Sequence, residues 1–277
     1  MSTKPLSRRL SRPIIYLLLI AMAIFYLLPI YLLVVTGMKS FAEVDLQRMW
    51  ALPQTLSFDN FVAAFNQLAP HLWNSLRLVI PASILSSMGG SINGYVFSKW
   101  KFKYSDIIFA LILFGMFIPY QSILIPLVQF MQWLGLRGTI TGLILVHVIY
   151  GIPITTLIFR NYYAGVPTEV LEAGRIDGAG MLGLYRYIVF PLSIPGFVVV
   201  LIWQFTQAYN DFLFAVVLTS NRTWPITVAL NNMAGSQIVQ WNVQMAGALL
   251  AALPTLIVYV LLGRYFLRGL MAGALKG

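Results

Sequence analysis

Gln204, Gln207 and Asp211 recur at i, i+3 and i+7, with Asn210 beside them, inside an otherwise apolar stretch. On a helix that spacing makes one polar stripe. An acid left in hydrocarbon costs several kcal/mol, so Asp211 has three readings: it lines a solute path, it reaches a hydrated interface, or it pairs with Arg77 or Arg222. Gln121, between Pro119 and Pro126, and Asn93, on a stretch rich in small residues, are further groups that could line such a path. The two histidines, His71 and His147, lie in no HExxH pattern and beside no second ligand, and read as hydrogen-bonded core residues. No metal site is expected. Cysteine is absent, which removes disulfides, zinc–thiolate sites and thiol catalysis. No GxxxxGK[ST] loop occurs, so the chain has no nucleotide site of that kind, and no acid pair or nucleophile constellation marks an enzyme.

A second group of residues is built for contact. The stretch Pro167-Thr168-Glu169-Val170-Leu171-Glu172-Ala173-Gly174-Arg175-Ile176-Asp177-Gly178-Ala179-Gly180 has a helix-starting Thr168 as N-cap, carboxylates near the first turn, and a stop at Asp177-Gly178. Over 181–190 a second helical stretch places Leu182, Tyr185, Ile188 and Val189 on one side, until Pro191 and Pro195 redirect the chain. The pattern alone fits either an amphipathic elbow on lipid headgroups or a surface gripped by a partner protein.

The elements that carry these residues are membrane spans. Of 277 residues, 59% are hydrophobic and only 9% charged, too apolar for an ordinary soluble domain. A hydrocarbon core of about 30 Å takes roughly 20 apolar helical residues to cross, and six stretches qualify, at 14–36, 72–97, 107–133, 139–159, 195–218 and 243–265. The first is too long for a signal-peptide core and reads as a retained anchor. The net charge of +10 would suggest nucleic acid for a soluble protein, but here its distribution matters more, and no nucleic-acid partner is expected. Thirteen Lys and Arg fall on the side that holds both termini and the 167–194 loop. Lys39, Arg48, Arg137 and Arg222 fall on the other. The positive-inside rule therefore puts both termini and that loop in the cytoplasm. The expected organisation is a cytoplasmic tail (1–13), a first span (14–36), a periplasmic loop (37–70), a five-helix core (71–265) with a second external loop at 219–242, and a cytoplasmic tail (266–277). In span two, Gly90 and Gly94 form GxxxG with Ser86 one turn earlier. Small residues so spaced let helices approach closely, within the chain or at a subunit interface or path.

Glu172-Ala173-Gly174, three residues, Gly178, nine residues and Ile188-Val189-Phe190-Pro191 closely resemble the EAA loop of ABC-importer permeases, with every spacing kept. Gly174 replaces the second alanine and Phe190 a leucine. The Asp177-Gly178-Ala179 triplet, the 204–211 region and the ending 269–277 are similar to the carbohydrate branch, the maltose-type second permease. The resemblance covers essentially the whole chain and implies an all-α polytopic membrane protein with six transmembrane helices and the type I ABC importer permease fold. It implies a subunit of an ATP-driven, binding-protein-dependent importer of a sugar or sugar-like solute in a bacterial or archaeal cytoplasmic membrane. The expected partners are a homologous second permease, a dimer of ATPase subunits that bind ATP and Mg, an extracytoplasmic solute-binding protein and membrane lipid. This chain is expected to bind no cofactor. Glu172, Ala173, Gly174, Asp177, Gly178, Ile188 and Pro191 would couple to the ATPase, with Ala173 and Gly174 allowing its close approach, and the C-terminal tail would contact it too. Trp224, Asn231, Gly235 and Gln237 would meet the binding protein. Without the resemblance, the residues also admit an ion-coupled secondary transporter or channel, for which Asp211 would be the key acid.

Overall fold

The computed structural model describes residues 6–235 and 239–274. In chain order its helices are α1 (Leu6–Gly37), α2 (Asp59–Lys99), α3 (Ser105–Phe114), α4 (Leu124–Trp133), α5 (Ile140–Ala164), α6 (Thr168–Ile176), α7 (Met181–Leu184), α8 (Phe190–Leu192), α9 (Ile194–Asn210), α10 (Leu213–Leu218), α11 (Ile226–Ala234) and α12 (Trp241–Ala274). No strand occurs among the described residues. Four helices are long and apolar enough to cross a membrane, and the number reaches six when each of two bent pairs counts as one span. The all-α polytopic architecture expected from the sequence is thus observed, with sharp bends that hydropathy does not reveal.

Three boundaries differ from the sequence expectation. Helix α2 starts at Asp59, not near residue 72: the Phe58 carbonyl accepts from the Phe61 and Val62 N–H groups, and just ahead of it the Asp59 N–H donates to Ser57 Oγ at 3.1 Å, a serine turn that leads into the helix. At 41 residues it is about 60 Å long, twice the hydrocarbon thickness, so the segment expected as a loop at 37–70 contributes the outer turns of a helix. The span expected over 107–133 is cut at Pro119, where the flanking pieces meet at 88°. Proline disfavours helix at the residue before it, and Ile118 is accordingly extended. Helix α12 runs on to Ala274, through most of the expected tail; residues 275–277 lie outside the described residues, as do 1–5.

The chain divides into two compact units. The first comprises residues 1–68 and 230–252. Its core is Ala64, Val243 and Ala246, flanked by Phe61, Met233 and Leu250. Asn60 Nδ2 donates to the Gly37 and Lys39 carbonyls, and Asn242 Nδ2 donates to Asn60 Oδ1 at 2.9 Å. Lys39 is buried, and its ammonium donates to the Arg48 and Met49 carbonyls, which offsets the cost of removing the charge from water. Most of α1 between Ile14 and Ile30 is exposed and apolar, as a helix facing lipid is.

The second unit comprises residues 69–229 and 253–277. Here α2 packs on α5 through its small residues. A Cβ on Gly90 would overlap the Thr155 side chain, and one on Gly94 would lie 2.7 Å from the Arg160 backbone nitrogen. Thr155 Oγ1 donates across the contact to the Ser86 carbonyl at 2.9 Å. The GxxxG pair therefore serves packing within the chain. At one end of this unit a core of Tyr95, Phe159, Tyr163, Leu171, Leu184, Val189, Phe197 and Val200 joins α2, α5, α6, the 181–192 segment and α9.

Candidate functional site

Two features of the second unit carry chemistry. The first is the segment 167–194. Helix α6 begins one residue earlier than a Thr168 cap would place it: Pro167 holds the cap position without a side-chain hydrogen bond, and Thr168 is the first helical residue. The far end closes at Gly178, whose φ is +84°. Its N–H donates to the Arg175 carbonyl, and the Ala179 N–H reaches back to the Gly174 carbonyl, the paired bonds of a glycine-terminated helix.

One face of α6 is fixed and the other is bare. Leu171 and Gly174 are buried. A Cβ on Gly174 would sit 2.5 Å from Ile188 Cδ1 and 2.7 Å from Leu184 Cδ2, so this glycine packs against its own chain. That corrects the expectation that Gly174 opens the helix to a partner: Gly174 and Ile188 are the internal contact of the motif. Glu172, Ala173, Asp177, Gly178 and Pro191 are exposed. So are the large apolar side chains Ile176, Leu182 and Tyr187, at 86%, 77% and 73%. Leu182 thus points away from the side on which periodicity placed it, because the stretch from Tyr185 to Val189 is a π-helical turn, which shifts the side-chain register that an α-helix would keep.

The segment is tied to the long helices by polar bonds. Ser91 Oγ on α2 hydrogen-bonds both the Tyr163 hydroxyl on α5 and the Tyr185 hydroxyl, the latter at 2.8 Å. Tyr95 donates to the Met181 carbonyl and Lys99 Nζ to the Val166 carbonyl at 2.7 Å. The Arg175 guanidinium lies over the Trp100 ring, 4.9 Å from its centroid.

The second feature is a cavity of about 530 Å³ where α5, α9 and α10 meet. The span expected over 195–218 breaks here, at Asp211 and Phe212, with no glycine or proline to cause it. Asp211 itself makes the break: its carboxylate accepts from the Phe214 and Ala215 N–H groups, the latter at 3.0 Å, and its carbonyl accepts from Thr227 Oγ1. A carboxylate bonded to the first backbone donors of α10 starts a new helix. Its other neighbour is His147, whose Nε2 lies 3.5 Å from Asp211 Oδ2. Neither Arg77 nor Arg222 is the partner. Gln204 is buried and donates through Nε2 to the His147 carbonyl at 3.2 Å. Gly151 makes room for it, since a Cβ there would overlap the Gln204 amide. Gln207, Asn210, Tyr120, Tyr150, Trp203 and Phe214 complete the lining.

At 219–229 the chain is stitched to residues 71–75 of α2: the Trp224 carbonyl accepts from Asn74 Nδ2 and lies 3.0 Å from His71 Nδ1, and the Ile226 N–H donates to Ser75 Oγ. Trp224 thus has an internal anchoring role through its backbone. In the other unit Asn231 and Gly235 are exposed, and Gln237 lies outside the described residues.

The sequence model of the "Binding-protein-dependent transport system inner membrane component" family matches residues 86–271, a stretch that holds both the 167–194 segment and the cavity. The chain belongs to this family. A probable ABC transporter permease of Pyrococcus horikoshii is 47% identical to this permease, over 98% of this chain and 100% of the relative. The glucose import system permease of Saccharolobus solfataricus and the xylose/arabinose import permease of Haloferax volcanii are each 34% identical over 94% of this chain, covering 96% and 92% of those proteins. Among solved structures, a bacterial ABC transporter involved in import of the acidic polysaccharide alginate matches with a TM-score of 0.81 at 21% identity, over 96% of this chain and 100% of that one. The fold of this permease is therefore the type I ABC importer fold.

Of the polar residues predicted to line a path, the permease brings Gln204, Gln207, Asn210 and Asp211 to one cavity; Gln121 and Asn93 are not among its lining, although Tyr120 beside Gln121 is. His147 was missed. Its signal is present in the sequence, since His147, Tyr150 and Gly151 fall at i, i+3 and i+4 on α5 and all reach the cavity, but one span alone does not reveal which acid faces it.

Proposed function

We propose that this permease is one of two transmembrane halves of an ATP-driven importer for a sugar or sugar-like solute, with the 167–194 segment as its coupling element. The observation that carries this reading is the two-sided character of α6. Its inner face is locked through Gly174, Leu171, Ile188 and Leu184, while Glu172, Ala173 and Ile176 are presented to no group of this chain's core. A rigid mount with a bare acidic and apolar tip suits a cleft in a cytoplasmic ATPase subunit. The 34% identity to permeases named for glucose and for xylose/arabinose import supports a sugar as solute.

In this reading, ATP and Mg are bound by a dimer of ATPase subunits, and hydrolysis takes place there. Closure of that dimer moves α6. Because the segment shares a core with α2, α5 and α9 and is bonded through Tyr185 to Ser91, which in turn bonds Tyr163, the movement reaches α9 and the break at Asp211, and so opens the cavity to one side or the other. A homologous second permease forms the other wall, and a solute-binding protein delivers the sugar at the 219–242 side. The lysine and arginine distribution supports cytoplasmic termini in a bacterial or archaeal membrane.

The test is uptake of labelled glucose, xylose and maltose together with ATP hydrolysis, in proteoliposomes holding the co-purified subunits. In this reading Glu172→Ala removes the charge-assisted hydrogen bond that Glu172 makes to a basic group of the ATPase subunit, about 1.5–3 kcal/mol, and Gly178→Ala forces a left-handed residue at about 1–2 kcal/mol. Both variants are expected to insert normally and to lose roughly tenfold or more of uptake per ATP, since about 1.4 kcal/mol is a factor of ten. Normal uptake by both variants in membranes without an ATPase subunit would overturn the reading.

A further inference from the structure

We infer that this chain itself holds the solute in transit and selects it by charge: the cavity at α5, α9 and α10 takes an uncharged polyhydroxylated ring and turns away carboxylated or phosphorylated sugars. The inference rests on the importer reading and adds to it which subunit binds the solute and which class of sugar it admits.

Three observations carry it. The cavity, at about 530 Å³, has the size of a small-molecule site. It offers aromatic walls at Tyr120, Tyr150, Trp203 and Phe214, and a sugar ring has C–H faces that lie well on such surfaces. Second, among the described residues two buried polar atoms at the cavity make no hydrogen bond: Gln204 Oε1, and His147 Nε2, whose polar neighbour Asp211 Oδ2 lies at a long 3.5 Å; the two residues are 3% and 6% exposed. The Gln204 amide cannot swing away to satisfy itself, because its Nε2 is held by the His147 carbonyl and Gly151 is packed against the amide. Buried polar atoms are nearly always paired. A solute hydroxyl can donate to Gln204 Oε1 and either donate to or accept from His147 Nε2, according to the ring's tautomer.

The third observation is the sign of the charge. Among the described residues no lysine or arginine lines the cavity, and the acid in its lining is Asp211. The ionisable pair that faces the solute is thus a carboxyl and an imidazole 3.5 Å apart, with no permanently cationic group beside them among the described residues. Asp211 needs no cation from the solute, because two backbone N–H groups already bond its carboxylate. A carboxylate or phosphate on the solute would enter a low-dielectric site without a counter-charge and beside a like charge, where repulsion is far stronger than in water. Neutral hydroxyls incur no such penalty.

The test uses the co-purified membrane complex in phosphatidylcholine nanodiscs, without binding protein or nucleotide, titrated with glucose, xylose, maltose, glucuronate and glucose 6-phosphate by saturation-transfer NMR. At least one neutral sugar is expected to bind, with both anions at least about tenfold weaker. Gln204→Leu should weaken the neutral sugar about tenfold, as loss of a hydrogen bond in a buried site does. Asp211→Asn keeps one oxygen to accept from the first N–H groups of α10 while losing the second acceptor, and is expected to bring the neutral-to-anion ratio below about threefold by removing the like charge. The ratio remains decisive even if Gln204→Leu fails to assemble. No neutral sugar bound, equal binding of the anions, or an unchanged ratio in Asp211→Asn would each overturn the inference. Uptake that still depends on Glu172 beside any of these results would leave the importer reading standing and sink this one alone.

Discussion

Gly94→Leu is expected to prevent the chain from assembling. Overpacked cores usually lose about 1–3 kcal/mol because side chains move aside, but here the atoms in the way are backbone. A Cβ at Gly94 would lie 2.7 Å from the Arg160 nitrogen and 2.9 Å from the Phe159 carbonyl carbon, and neither can rotate away. The helices α2 and α5 must part, which opens the Thr155–Ser86 bond and exposes the buried hydroxyls of Ser83, Ser87 and Ser91. A loss of more than about 3 kcal/mol, the upper end of ordinary overpacking, removes a large share of the ~5–15 kcal/mol that holds a fold together. Monodisperse protein after detergent extraction should fall at least about tenfold. Gly89→Ala is the matched control: its added methyl would meet only Ile152, at 3.5 Å, an ordinary contact, so extraction yield and thermal stability should be retained.

Ile176→Asp is the second large effect, and it should leave the permease itself intact. Ile176 is 86% exposed at the last position of α6, so the substitution removes almost no packing within the chain. If the residue is buried in an ATPase cleft, its loss costs about 1.5–3 kcal/mol of apolar burial, and the new carboxylate adds a desolvation cost. Affinity for the ATPase subunits should fall by more than about tenfold, about 1.4 kcal/mol, as read by co-purification at graded detergent dilution. Full retention of the ATPase with normal uptake would show that the tip of α6 is not the grip.

Local sequence signals specified α6 well. Its acidic first turn, its length and its glycine stop at Gly178 are set by neighbouring residues, and the structure agrees with all three. The close-packing signal of Gly90 and Gly94 was equally legible, yet the helix that receives it was not, because a small-residue stripe records how near a neighbour comes and not which neighbour it is. Gly174 failed for the same reason. A glycine in an exposed-looking helix reads as access for a partner until Ile188 and Leu184 are seen against it. The break at Asp211 was hidden more deeply. Hydropathy sees one span over 195–218, while the interruption comes from a carboxylate that takes two backbone donors for itself. Its pairing with His147 joins two spans that no local pattern connects. The cavity was thus half legible: the stripe from Gln204 to Asp211 was visible, and the α5 face opposite it required the fold.

The absence of cysteine from the chain makes the central claim directly measurable. An Ala173→Cys variant carries one thiol on the bare face of α6. In the assembled transporter, a bifunctional thiol-to-amine reagent of about one side-chain length is expected to join it to the ATPase subunit as a single product, with the yield changing when ATP and Mg are added. A thiol that reacts fully with a small maleimide yet forms no product with the ATPase subunit would contradict the assignment of α6 as the coupling element.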